Sequence, residues 1–313
     1  MTITQLQYVL AVAEHKNFTL AAEKCFVTQP TLSMQIQKVE EELKIQIFDR
    51  TKKPIQLTEI GQKIVNQAKN IVNEADRMHD IVEQQKGFIG GEFRLGIIPT
   101  IMPTLLPMFL NNFIKKYPKV KLIIEELNTD EIIFKLKNGH LDAAIAATPL
   151  MEEKLKEIVL YYEPFVAYIP SEHQNSTKKE IEVDDLDLNE VLLLQDGHCF
   201  RDGILNLCKS ESKNGFSHFQ LESGSFETLI KLADEGLGIT LLPYLHTLDL
   251  KESDKLKLKH FVKPKPAREV SLIFPKTELK IHVIDALRST IASVIKGAIV
   301  FQDIEIISPL NKK

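Results

Sequence analysis

The sequence predicts an α/β protein in two parts. A small winged helix-turn-helix extended by one long linker helix comes first, and a larger two-lobed α/β regulatory domain follows. Three observations lead there. Two short helical runs flank a tight turn near Thr28, and from Gln62 to Lys86 the chain carries neither Gly nor Pro. Beyond Gly91, short apolar strand patterns alternate with helical ones. At 313 residues and 44% hydrophobic content the chain can fill about two cores. It has no apolar run of about 18 residues, and its start lacks a charged-then-apolar signal, so no membrane partner and a cytoplasmic location are expected. Three cysteines, an odd number, suit a reducing compartment. A net charge of −4 gives no general attraction for nucleic acid, so any DNA binding must come from a local motif.

Phe18 to Cys25 reads as a helix of small and apolar residues, which Phe26-Val27-Thr28-Gln29-Pro30 interrupts. Thr28 suits an N-cap, and Pro30 suits a first helical turn, where its missing N–H costs nothing. Leu32, Ile36, Val39 and Leu43 then line one face of a second helix. A small, polar opposite face suits entry into a major groove, and Gln29, Pro30, Thr31 and Ser33 are the candidate DNA contacts. Ile47 to Thr58 reads as two strand-like pieces around a basic turn, a wing whose Arg50, Lys52 and Lys53 suit phosphates. An ordinary helical bundle with a solvated basic loop fits the same pattern.

The long helix carries Ile64, Ala68, Ile71, Ala75, Met78 and Val82 at heptad a/d spacing, the seam of a dimeric coiled coil. Docking of that seam on its own chain is the alternative. Gly87 to Gly91 ends the helix, which sets the expected divisions at 1–58, 59–89 and 90–313.

The ordered set Phe18-Thr19-Leu20-Ala21-Ala22-Glu23, Thr28-Gln29-Pro30-Thr31-Leu32-Ser33, Glu40-Glu41-Glu42-Leu43, Phe48-Asp49-Arg50 and Leu57-Thr58-Glu59-Ile60-Gly61 resembles LysR-type transcriptional regulators. The resemblance spans the whole chain and implies double-stranded DNA and RNA polymerase as partners, a homodimer or homotetramer, and no enzymatic activity. Met34 departs from the polar residue usual there, and Cys25 replaces a core aliphatic residue.

In the second part, strand-like Phe93–Ile98, Val120–Leu127 and Leu141–Ala146 alternate with helices, implying a parallel sheet. Thr100 and Thr129 then fall where strands end and helices begin, the binding crevice of open α/β sheets. A second lobe is expected over about 165–267, with Phe226–Glu235 and Ile239–Pro243 as one helix–strand step and Arg268–Phe274 returning to the first lobe. Two lobes with two crossovers resemble a periplasmic-binding-protein fold.

Cys199 and Cys208 remain. His198, Arg201 and Asp202 surround the first thiol, and Ile204, Leu205 and Leu207 precede the second. A cationic neighbourhood activates a thiol and an apolar one keeps it inert, the asymmetry of an attacking and a resolving pair. Spacing alone fits two unrelated buried cysteines equally well. The run Gly197-His198-Cys199-Phe200-Arg201-Asp202 with Cys208 resembles the redox centre of peroxide-sensing LysR-type members. That resemblance implies hydrogen peroxide as the signal, a reversible Cys199–Cys208 disulfide, and control of oxidative-stress genes. It also implies a pocket of Thr100, Thr129, His198 and Arg268, and a thiol reductant for resetting. Asp202 is expected to N-cap a short helix from about Gly203, with Arg201 adding positive charge at the thiol. No cofactor or metal is called for. A sensor of a small organic metabolite and a thiol peroxidase are the rivals.

Overall fold

The computed structural model describes residues 1–85, 89–208, 221, 223–299 and 304–309. Two compact units divide the chain, one built on Met1–Gly87 and the other on Phe88–Lys137 with Leu141–Lys313.

Short polar side chains start each helix of the first unit. Thr2 and Gln5 form a capping box at α1 (Ile3–His15), which the sequence reading did not recover. Asn17 Oδ1 accepts from the backbone N–H groups of Thr19 and Leu20 to open α2 (Phe18–Lys24). Thr28 accepts from Thr31 N at α3 (Gln29–Leu43), with Pro30 in the first turn as expected. Val9, Val12, Ala21, Leu32, Ile36 and Val39 close one core between these helices. The wing is β1 (Phe48–Asp49) paired antiparallel with β2 (Gln56–Leu57), Phe48 opposite Leu57.

Glu40 ties α3 to this wing. Its Oε1 accepts from Ile47 N at 2.8 Å and Phe48 N at 3.2 Å, and its Oε2 takes Arg50 Nη2 at 2.9 Å. Thr58 Oγ1 accepts from Gly61 N at 2.9 Å as α4 (Glu59–Gln85) begins. A Cβ on Gly61 would sit 2.1 Å from Ile47 O, so only glycine lets the helix start this close to the wing.

The apolar stripe of α4 is wider than a coiled-coil seam. Val65, Ala68 and Val72 are buried, the last two against Leu6 of α1. Ala68 therefore leaves the expected dimer seam for an intrachain contact, and Ile64 is half-buried in the winged core. Ile71 and Met78 stay exposed, at 36% and 69%. The side chain of Val82 lies outside the described residues.

The second unit opens with β3 (Gly91–Ile97), α5 (Met102–Lys116), β4 (Val120–Glu126), α6 (Thr129–Lys137) and β5 (Ala143–Thr148). Its three strands pair in parallel in the order β4-β3-β5, as the alternation implied. The 14-residue β6 (Leu155–Tyr168) then runs from one lobe into the other. The second lobe comprises β7 (Glu180–Ile181), β8 (Val191–Leu192), α7 (Cys199–Leu207), α8 (Phe226–Asp234), β9 (Ile239–Pro243), α9 (Tyr244–Leu248), α10 (Glu252–Lys255) and β10 (Leu258–Phe261). The chain returns through β11 (Lys265–Pro275), covers the first core with α11 (Ile281–Ile295) and ends at β12 (Ile304–Ile306) alongside β11.

β11 runs antiparallel to both β5 and β6, so the first sheet is mixed. Each lobe has its own apolar core, one around Phe93, Phe109 and Phe113, the other around Phe165, Phe200 and Phe261. The crossing strands β6 and β11 set Glu163 directly opposite Arg268 at the lobe boundary.

Glu40→Ala strips the acceptor from two backbone N–H groups and Arg50 at once. It should destabilise the winged unit by about 1–3 kcal/mol, read as a lower midpoint in thermal unfolding of the full chain. An unchanged midpoint would show that the turn into the wing holds without this carboxylate.

Candidate functional site

Gly197, at φ +87°, takes a left-handed turn that a side chain would strain, and it delivers His198 to the N-cap position of α7. Cys199 is the first residue of that helix and is 7% exposed. Its expected place just ahead of a helix is corrected by one turn: Asp202 lies inside the first turn and caps nothing, because the helix starts earlier. Phe200 anchors the turn. Its ring meets Phe165 and Phe226 edge-on at 5.0 and 5.1 Å, and the Arg268 guanidinium lies over it at 5.2 Å.

Arg268 is the centre of the polar network. Its Nη1 donates to Thr100 Oγ1 at 2.9 Å and its Nη2 to Thr100 O at 3.1 Å. Nε and Nη2 also donate to Glu163 Oε2 at 2.9 and 2.7 Å. The Thr129 hydroxyl is buried with no hydrogen-bond partner of ordinary geometry, and it faces the Cys199 sulfur. Thr129 and Arg268 thus bear on Cys199, Thr100 is bonded to Arg268, and His198 precedes the thiol with Glu126 at the end of β4 acting on its ring.

Burial pushes the Cys199 thiol above its usual value, outweighing the Arg268 charge, the Thr129 hydroxyl and the Ala147 N–H, all of which favour the thiolate. This corrects the expectation of a thiol activated outright by cationic neighbours. Arg201 is not among the groups acting on that thiol: its Nη1 donates to Leu194 O and its Nε pairs with Asp196. Burial lowers the His198 pKa against the pull of Glu126, which favours a neutral imidazole. Burial also pushes Cys208 up to about 11. Ile204 and Leu207, rather than Leu205, carry the apolar packing of α7.

The sequence reading missed Glu163 and Tyr161. Their one signal was a carboxylate inside the strand-like run Tyr161-Tyr162-Glu163-Pro164-Phe165. Among the described residues no helix is long and apolar enough to cross a membrane, and no cluster of His, Cys, Asp and Glu suits a metal ion.

In the first unit Gln29, Pro30 and Thr31 are exposed at the start of α3, while Ser33 is half-buried. Arg50 is exposed but occupied: besides Glu40 it lies 5.2 Å over the Phe18 ring, with Nη1 3.5 Å from Ser33 Oγ.

Residues 3–62 match the bacterial regulatory helix-turn-helix proteins of the lysR family, and residues 86–295 match the LysR substrate-binding domain. The chain belongs to the LysR family. It is a DNA-binding transcriptional regulator rather than an enzyme. A LysR-family relative, the hydrogen peroxide-inducible genes activator of Pectobacterium carotovorum subsp. carotovorum, is 34% identical over 274 residues, covering 88% of this chain and 90% of its own. A full-length OxyR cysteine-to-aspartate variant from Pseudomonas aeruginosa superposes with a TM-score of 0.73 at 32% identity, over 93% of this chain and 98% of that one. A Corynebacterium glutamicum OxyR cysteine-to-serine variant with hydrogen peroxide bound gives a TM-score of 0.62 at 27% identity, over 95% and 93%.

Because burial holds the Cys199 thiol up, its alkylation by iodoacetamide should climb through pH 8 without levelling. Thr129→Val removes a donor to the thiolate and should slow that reaction about two- to threefold at pH 7. Thermal stability should not fall, since the lost hydroxyl was unpaired. Equal alkylation rates in the two proteins would remove Thr129 from the site.

Proposed function

We propose that this chain is a peroxide-sensing regulator of oxidative-stress genes, with Cys199 as the thiol that hydrogen peroxide oxidises and Cys208 as its disulfide partner. Residues 1–58 read DNA, 59–89 join subunits and 90–313 sense the oxidant. One observation carries the reading. A buried thiol at the first position of a helix follows His198 and lies beside Thr129 and the Arg268 that holds Thr100, and the same helix is capped at its far end by a second thiol.

The chemistry follows from those groups. The Cys199 sulfur attacks one peroxide oxygen, the O–O bond breaks, and the departing oxygen takes a proton to leave as water. Because Thr100 Oγ1 accepts from Arg268, its own proton is free to donate to the peroxide, and Thr129 offers a second donor. The sulfenic acid formed is attacked by the Cys208 thiol, a second water leaves, and a disulfide remains. Two thiols have then lost two electrons and one peroxide has become two waters.

Nine helical steps of 1.5 Å put the two Cα atoms about 13 Å apart, whereas a disulfide needs them within about 7 Å. Forming the bond therefore unwinds α7 and pulls Phe200, Ile204 and Leu207 from the second core. That is the packing change that reports oxidation. A thiol reductant in the cytoplasm reverses it. On DNA, Gln29, Pro30, Thr31 and Ser33 enter the major groove and Arg50 supports the wing at the backbone. A second copy packs along Ile71 and Met78, dimers pair into a tetramer, and RNA polymerase receives the signal.

Peroxide titration of the full chain with peptide mapping tests the sensor. Expected is a Cys199–Cys208 disulfide with Cys25 left free, and a lasting sulfenic acid on Cys199 in Cys208→Ser. Cys199 unmodified at excess peroxide, or Cys25 in the main disulfide, sinks the reading. For the subunit contact, Ile71→Asp buries a charge in the seam and should lower the sedimentation mass to that of smaller species. A mass equal to the parent's would refute it.

A further inference from the structure

We infer that Glu163 is a positioning residue for the sensing thiol: it fixes the Arg268 guanidinium against Thr100 and balances its charge, and so sets how readily Cys199 reacts. This rests on the proposed role of Cys199 as the oxidised thiol.

The carboxylate cannot swing. Glu163 is 1% exposed, and its register on β6 places it directly across from Arg268 on β11. Oε2 accepts both Nε and Nη2 of the guanidinium, while Oε1 is held by Leu245 N at 2.8 Å in the first turn of α9. An arginine has five N–H donors in a rigid fork. Two are committed to Glu163, which aims the adjoining edge of the fork, sharing Nη2, at Thr100, where Nη1 meets Oγ1 and Nη2 meets the carbonyl. Phe200, the neighbour of Cys199, lies beneath the guanidinium.

The charge argument runs through the same atoms. Alone in a low-dielectric boundary, Arg268 would favour a thiolate at Cys199 strongly. Paired with Glu163 it still favours the thiolate, but by less than burial disfavours it. The other polar groups bearing on this cluster are Thr129 on α6, Asp202 on α7, His198 at its N-cap, Tyr161 on β6 and His246 on α9. Burial holds Tyr161 neutral and favours neutral His198 and His246, so Glu163 is the counter-ion in contact with Arg268.

The test is the pH profile of Cys199 alkylation by iodoacetamide in the reduced full chain, read at the peptide level. Glu163→Gln should lower the midpoint by roughly one pH unit and raise alkylation at pH 7 about threefold, allowing for the weaker nucleophilicity of a less basic thiolate. Arg268→Gln should move the midpoint up, and the double variant should bring it back towards the parent. Opposite shifts are the signature of charge balance. Loss of packing would expose the thiol and lower the midpoint in both single variants, which would overturn the inference, as would an unmoved midpoint in folded Glu163→Gln. If Glu163→Gln does not fold, Arg268→Gln still decides, because a fall or no change there is contrary to charge balance. Alkylation needs no peroxide. Shifts as stated without a peroxide-induced Cys199–Cys208 bond would therefore refute the sensor reading and leave this one standing.

Discussion

Two strands cross between the lobes of the second unit, and the Arg268–Glu163 pair joins them there, at 3% and 1% side-chain exposure. Taking both charges out of water costs several kcal/mol per ion, so the pair adds little net stability and its consequence is geometric. Neither partner has solvent to turn to. The guanidinium must therefore stand where Glu163 and Thr100 place it, and the end of β3 is tied to the crossing strands. Through Phe200 the same guanidinium touches α7, so one fixed cation links both lobes with the start of the thiol-bearing helix.

α7 is fixed by what it buries. As a helix it buries Phe200, Ile204 and Leu207 and keeps its two thiols apart. Asn206 adds a bond to Ser308 O at 2.9 Å, which ties the helix to the segment after β12. All of these interactions depend on the helical path between Cys199 and Cys208. A covalent bond between the thiols is incompatible with that path, so the disulfide proposed above would exchange one packed state for another instead of flexing the first. Burial of Cys199 belongs to the same arrangement: it raises the thiol, while Arg268, the Thr129 hydroxyl and the Ala147 N–H favour the thiolate.

A comparable economy appears in the first unit, where the Glu40 carboxylate holds two wing N–H groups and Arg50 together. The wing's arginine is thereby fixed against α3 instead of sweeping through solvent. On α4, a stripe wide enough for two faces serves α1 with Val65, Ala68 and Val72 and leaves Ile71 and Met78 outward.

Much of this was legible locally. Thr28 and Pro30 at the start of α3, the strand ends at Thr100 and Thr129, and the apolar setting of Cys208 all follow from short-range rules of capping, periodicity and composition. The family motifs supplied His198 and Arg268. What stayed hidden depends on contacts distant in sequence. β6 carries no clean alternation because its two halves lie in different sheets, and Glu163 gains meaning only from a partner 105 residues away. The sequence suggested cationic activation of Cys199; tertiary structure decided otherwise, because burial outweighs the pull of Arg268, and Arg201 turns to Asp196. Residue types and their spacing therefore determined which groups the site contains. Only the packed fold decided which charges are cancelled, since a side chain's electrostatic effect depends on what it is buried against.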